Sequence, residues 1–121
     1  MKGIGIDAVD IDRFRNLIAR RPSMRTRLFT PGELMTLQGQ VDDAPSLAAR
    51  FAVREATMKA LGVGLGAFDF HDVSVHRLES GAPVLHVSGR AQALADAQGV
   101  DSWHVSITHT DSVAMAVVAA L

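Results

Sequence analysis

Apolar residues alternate at the start of the chain and then shift to a helical repeat. Ile4 and Ile6 alternate with Gly3, Gly5 and Asp7, which predicts a short strand over 2–8 with both isoleucines on one face. Ile11, Phe14, Leu17 and Ile18 then recur at helical spacing opposite Arg13, Asn16 and Arg20, predicting a helix over 11–21 that Asp10 caps and Pro22 ends. A short helical turn is expected near 23–28. Thr30-Pro31-Gly32-Glu33 has the form of a capping box with proline in the first turn, so a further helix begins there. Gly39 to Pro45 is a polar connection, and Ser46 is the expected cap of a long helix that stops at Gly62.

Past Gly62, Gly64 and Gly66, a glycine-rich loop without Walker spacing, the period of two returns. Strands are expected over 70–78 and 83–88, joined by a turn through Ser80-Gly81-Ala82. A helix over 89–98 follows, with Ala91, Leu94 and Ala95 inward, and then strands over 102–109 and 112–120. This order predicts an α+β fold in which an antiparallel sheet packs against the long helix. The last strand, Val113 to Leu121, is apolar on both faces, so both are covered within the chain or one meets another subunit.

The long helix divides its polar residues unusually. At about 100° per residue, Arg50, Arg54 and Thr57 share an arc with Ser46, whereas Glu55 and Lys59 fall among Ala48, Ala52 and Ala56. Small apolar neighbours mark a face that packs closely. A carboxylate and an amine one turn apart on such a face either satisfy one another or hold a ligand.

Composition narrows the function. The 121 residues suit one domain spanning 1–121, and 48% hydrophobic residues support a core. A net charge of −1 argues against nucleic acid as a partner. The charge is uneven, however: Arg13, Arg15, Arg20, Arg21, Arg25 and Arg27 crowd the first quarter, a basic face suited to an acidic protein. With no cysteine, disulfides, thiolate metal sites and cysteine nucleophiles are excluded. No apolar run reaches the ~20 residues that span a bilayer, and Asp7 and Asp10 interrupt any signal-like start, so a cytoplasmic location is expected.

Asp10 already caps the first helix, which leaves Asp7 without a structural duty. Magnesium takes one or two carboxylates completed by phosphate oxygens and water, and Asp7 with Glu55 supplies such a pair if strand and helix pack together. Gly3-Ile-Gly-Ile-Asp7, with Arg13, and Arg50-Phe-Ala-Val-Arg-Glu55-Ala-Thr-Met-Lys59-Ala-Leu-Gly62 resemble the holo-[acyl-carrier-protein] synthases, the small bacterial branch of the 4′-phosphopantetheinyl transferases. Leu28-Phe-Thr-Pro-Gly-Glu33, Gly81-Ala-Pro83 and His104-Val-Ser-Ile-Thr-His109 extend the resemblance from end to end.

The resemblance implies transfer of phosphopantetheine from coenzyme A to a serine of apo acyl carrier protein in fatty-acid or polyketide assembly, releasing adenosine 3′,5′-bisphosphate. It implies Mg²⁺ on Asp7 and Glu55, catalysis by Glu55 and Lys59, and coenzyme A contacts from Arg50, Lys59, Gly62, Gly64, Pro83 and His109. Arg13, with Arg20 and Arg21 by position, would dock the carrier. The proton acceptor is Glu55 itself or a water. Family members of this size are homotrimers with active sites between subunits, so a trimeric fold is expected. One residue departs from the family: Arg54 stands where a lysine is common, which keeps the charge but changes its geometry. His71, His76 and His86 have no metal-ligand spacing and read as surface residues. Two other readings fit the same residues: a Mg²⁺-dependent nucleotide pyrophosphatase, and a non-enzymatic module that docks acidic proteins.

Overall fold

In the computed structural model, which describes residues 1–121, the first strand turns glycine rather than isoleucine toward the interior. Strand β1 (Gly3–Asp10) does alternate, but Ile4 and Ile6 are 58% and 54% exposed on the outer face. Gly3, Gly5, Asp7 and Val9 form the inner row, and helix α4 (Ala44–Leu61) lies directly on it. A Cβ at Gly3 would overlap the Ala60 carbonyl oxygen, and one at Gly5 that of Ala56. The repeats match: two strand residues advance about 6.7 Å and four helix residues about 6 Å, so glycines two apart meet alanines four apart.

The remaining elements follow from local chemistry. Helix α1 (Ile11–Arg20) starts at Asp10, whose Oδ1 accepts from the Arg13 amide at 2.8 Å, and it buries Ile11, Phe14 and Ile18. Helix α2 (Met24–Leu28) is a single turn or so. Helix α3 (Pro31–Thr36) has the expected capping box: the Glu33 amide donates to Thr30 Oγ1 at 3.2 Å, and the Thr30 amide donates to Glu33 Oε1 at 3.0 Å. Helix α4 starts earlier than expected. Ser46 is not its cap: Ala44 and Pro45 open the helix, since proline fits a first turn whose amides have no partner, and Asp42 Oδ1 accepts from the Ala44 amide at 3.2 Å. Gly62 ends α4 at φ 69°, a left-handed conformation that favours glycine.

The strand expected over 70–78 is shorter, because Asp69 and Asp72 cap a 3₁₀ turn at Phe70–Asp72. Strands β2 (Val73–Arg77) and β3 (Pro83–Val87) then form a two-stranded antiparallel hairpin. Helix α5 (Gly89–Ala97) leads to β4 (Trp103–His109) and β5 (Val113–Ala120). The second sheet is antiparallel in the order β1-β5-β4, with Ile6 opposite Val117 and His109 opposite Ala114. The single sheet expected is thus two. Ala114, Ala116, Val118 and Ala120 of β5 are buried on the α4 side, while Met115 is exposed and Val117 and Ala119 are partly covered on the other. The core forms two clusters, joined by Val9, Phe70 and Ile107, which pack against both. No helix is long and apolar enough to cross a membrane.

A charged cluster is sealed between α3, α4 and β2. Glu33, 2% exposed, accepts from Arg54 Nη2 at 2.5 Å and Nη1 at 3.1 Å, and from the Val75 amide at 3.1 Å. Burial alone would raise the Glu33 carboxyl. The Arg54 hydrogen bonds and charge, with the Thr30 and Val75 amides, outweigh it and hold the carboxyl below the ordinary range. Arg54 also donates to the Phe70 carbonyl at 2.8 Å and lies 5.1 Å from the Phe29 ring centroid. Arg50 is less well served: its Nε is 3.8 Å from Glu33 and has no hydrogen-bond partner, and burial lowers its pKa.

Gly5→Ala should cost on the order of 2 kcal/mol, because the Ala56 carbonyl cannot yield without separating helix from strand. A urea titration should show a lower midpoint. Gly64→Ala, which meets nothing within 4 Å, should leave the midpoint unchanged. Equal midpoints for the two variants would refute the close-packing account.

Candidate active site

The row that begins with two glycines continues to Asp7, and this placement builds the site. Gly3 and Gly5 draw the strand onto α4, so the next inward residue meets the helix near Glu55 and Lys59. Lys59 Nζ donates to the Ile6 carbonyl at 2.8 Å and to Asp7 Oδ1 at 3.3 Å. Asp7 is largely covered, with 18% of its side chain exposed, whereas Lys59 keeps 55%. Glu55 is half-buried one turn before Lys59. Its carboxyl is raised above the ordinary range by burial first and by the Asp7 charge second, with Lys59 pulling the other way.

Asp7 and Glu55 line one cleft of about 790 Å³ formed by β1, α1 and α4. Its apolar side includes Phe14 and Phe51, whose ring centroids are 5.4 Å apart. Arg13 and Arg20 border it from α1. Both are exposed, and neither is in an ion pair. The other α1 arginine is committed, since Arg15 pairs with Asp12 and with Asp42. Arg25 of α2 is likewise bound to Asp43 at 2.5 Å.

The donor set fits a divalent cation. Two carboxylates border open space, Asp7 close enough to raise the Glu55 carboxyl, and no third acid or imidazole gathers with them. Such a pair suits Mg²⁺ completed by phosphate oxygens and water rather than by an all-protein cage.

Strand and helix therefore bring together Asp7, Glu55 and Lys59, with Arg13 and Arg20 at the border. The other sequence candidates lie elsewhere in the chain. Arg50 is buried against Glu33, on the arc of α4 that carries Arg54. Gly62 and Gly64 follow the end of α4, and Pro83 begins β3 opposite Arg77. His109 ends β4 exposed, its Nδ1 3.2 Å from the Thr110 carbonyl oxygen. Arg21 terminates α1, its amide donating to the Leu17 carbonyl at 2.9 Å. His71, His76 and His86 are exposed and border a separate depression of about 550 Å³. Phe51 was missed as a lining residue, although its place four positions before Glu55, one helical turn, is a signal that could have found it. Phe14 and Leu17 signalled only a core-facing stripe.

A family model described as the 4′-phosphopantetheinyl transferase superfamily matches residues 3–118. A holo-[acyl-carrier-protein] synthase of Streptomyces avermitilis is 47% identical over 118 residues, covering 98% of this chain and 95% of the relative. The crystal structure of the Helicobacter pylori holo-[acyl-carrier-protein] synthase in complex with coenzyme A superposes with a TM-score of 0.85 at 32% identity, covering 98% of this chain and 99% of that one. The Neisseria meningitidis synthase gives a TM-score of 0.90 at 28% identity, covering 100% and 98%.

Glu55→Gln should raise stability at pH 7.5, since it removes an ionised carboxylate that burial and Asp7 disfavour. A raised folded-state pKa contributes stability that is complete below the unfolded glutamate value of about 4.3 and is lost as pH rises through the folded value. The advantage of the variant should accordingly vanish at pH 4. Urea midpoints at the two pH values test this, and a variant less stable at pH 7.5 would contradict it.

Proposed function

This chain belongs to the 4′-phosphopantetheinyl transferase superfamily, and from that premise we propose that it transfers the phosphopantetheine arm of coenzyme A to a serine of apo acyl carrier protein, releasing adenosine 3′,5′-bisphosphate. The observation that carries this reading is the meeting of Asp7, Glu55 and Lys59 beside an open cleft bordered by free arginines. The named activity of the Streptomyces avermitilis relative and the coenzyme A complex of the Helicobacter pylori relative support the same donor and acceptor.

In this reading Asp7 and Glu55 hold Mg²⁺, and the bound ion supplies neutralisation of charge on the diphosphate. The chain's own groups do the rest. Glu55 or a water beside it takes the proton of the carrier serine as its oxygen attacks the β-phosphorus. The bond from that phosphorus to the oxygen of the departing bisphosphate breaks, and Lys59 stabilises the charge that develops there. Arg13, Arg20 and Arg21, exposed on α1 and its end, form the basic face that docks the acidic carrier.

The rest of the site comes from assembly. The outer sheet face carries Ile4, Ile6, Met115, Val117 and Ala119 and suits burial against further copies in a homotrimer. Arg50, Gly62, Gly64, Pro83 and His109 line no part of the cleft within one protomer. Gly62, Gly64, Pro83 and His109 serve coenzyme A where subunits meet, whereas Arg50, sealed beside Glu33, supports α4 instead of reaching the ligand. Residues 1–121 act as one domain, in the cytoplasm.

Intact-mass spectrometry of apo carrier incubated with the protein, coenzyme A and Mg²⁺ should show a gain of one phosphopantetheine. Asp7→Asn and Glu55→Gln should each lower kcat/KM by on the order of 100-fold or more. Bisphosphate release without carrier would indicate a pyrophosphatase instead, and carrier binding without a mass gain would indicate a docking module. Arg13→Ala should raise the KM for carrier several-fold, leave kcat near its original value and weaken the salt dependence. An unchanged carrier KM would remove the docking role.

A further inference from the structure

Lys59 already occupies ground that a cation at Asp7 would need. Its ammonium is anchored twice, at 2.8 Å from the Ile6 carbonyl oxygen and 3.3 Å from Asp7 Oδ1. The Ile6 contact places it beside the outer edge of β1, the edge strand of its sheet. Two carboxylates and one ammonium leave the cluster with a formal charge of −1. A divalent ion binding Asp7 would meet an ammonium bonded to Oδ1 of the same carboxylate. Hard divalent ions bind carboxylate oxygen at about 2.0–2.1 Å for magnesium, which brings ion and ammonium into strong repulsion.

The lysine can leave. It stands in the last turn of α4, its side chain is 55% exposed, and its four-carbon stem is flexible. What it lacks in the free protein is a better anion, and the diphosphate of coenzyme A provides one. We propose that Lys59 acts as an internal competitor of the metal: it holds Asp7 in the free protein and moves to the diphosphate when coenzyme A arrives. Metal and coenzyme A then each strengthen the binding of the other, because each favours the position of Lys59 that the other requires. Coupling of this kind is reciprocal in binding free energy. The inference rests on Asp7 and Glu55 as the metal pair.

Lys59 also has a plain structural use, since a lysine can shield a strand edge from pairing with another chain. The two roles differ in what the metal alone does. Titration of the whole protein with Mn²⁺, followed by the electron paramagnetic resonance of the free ion, requires no turnover. Lys59→Met should bind Mn²⁺ about three- to fivefold more tightly than the original protein without coenzyme A. Lys59→Gln should do the same, and Lys59→Arg, which keeps the charge, should bind as weakly as the original. Coenzyme A should raise Mn²⁺ affinity by a larger factor in the original protein than in Lys59→Met.

If neither uncharged variant binds Mn²⁺ more tightly, Lys59 does not compete, and the proposal fails while the metal pair stands. If Asp7→Asn leaves Mn²⁺ affinity unchanged, the metal pair itself is wrong, and the proposal fails with it.

Discussion

The close approach of β1 to α4 is the constraint on which the rest of the molecule depends. Only residues without a Cβ at positions 3 and 5 let the strand settle onto the Ala56 and Ala60 carbonyls. A side chain there would lift the strand and carry Asp7 away from Lys59. The glycines give up apolar burial on that face, and the isoleucines between them lie outside. The strand is thus placed to position a carboxylate, and its apolar residues are left for the outer face of the sheet.

The opposite side of α4 solves a different problem. Arg50 and Arg54 are both buried and have one carboxylate between them, Glu33. Removing charges from water is costly, and a buried pair is tolerated when its geometry is good and the spare donors and acceptors are matched. Arg54 meets that condition through a two-pronged contact with Glu33 and a bond to the Phe70 carbonyl. Arg50 meets it only in part, since its Nε has no partner. The pair joins α3, α4 and the 3₁₀ turn that leads into β2, and so orients the helix whose other arc carries Glu55. Arginine suits this duty, because a guanidinium can address two carboxylate oxygens at once.

Around the cleft, charge is arranged at some expense to stability. Glu55 is raised by its surroundings, an arrangement a purely structural helix has no reason to keep. The arginines nearby are sorted in the opposite sense: Arg15 and Arg25 are tied to aspartates, whereas Arg13 and Arg20 at the border pair with no carboxylate. The basic edge and the acidic centre have opposite preferences, the edge for anions and the centre for a cation.

Much of this was legible in the chain. Helix ends were marked by Asp10, by the Thr30–Glu33 box and by Gly62, whose effects act over one turn and need no distant partner. The grouping of Glu55 and Lys59 away from Arg50 and Arg54 followed from helical geometry alone. Asp7 was marked by having no local duty. Other features depended on residues far apart in sequence. Hydrophobicity gave Ile4 and Ile6 a common face but could not say which side α4 would take, since the deciding factor was the bulk of the glycine row against the helix. Glu33 read as a local cap, and only folding showed that two arginines about twenty residues on converge on it. The hold of Lys59 on the Ile6 carbonyl and on Asp7 is likewise tertiary: it spans more than fifty residues and exists only because strand and helix touch.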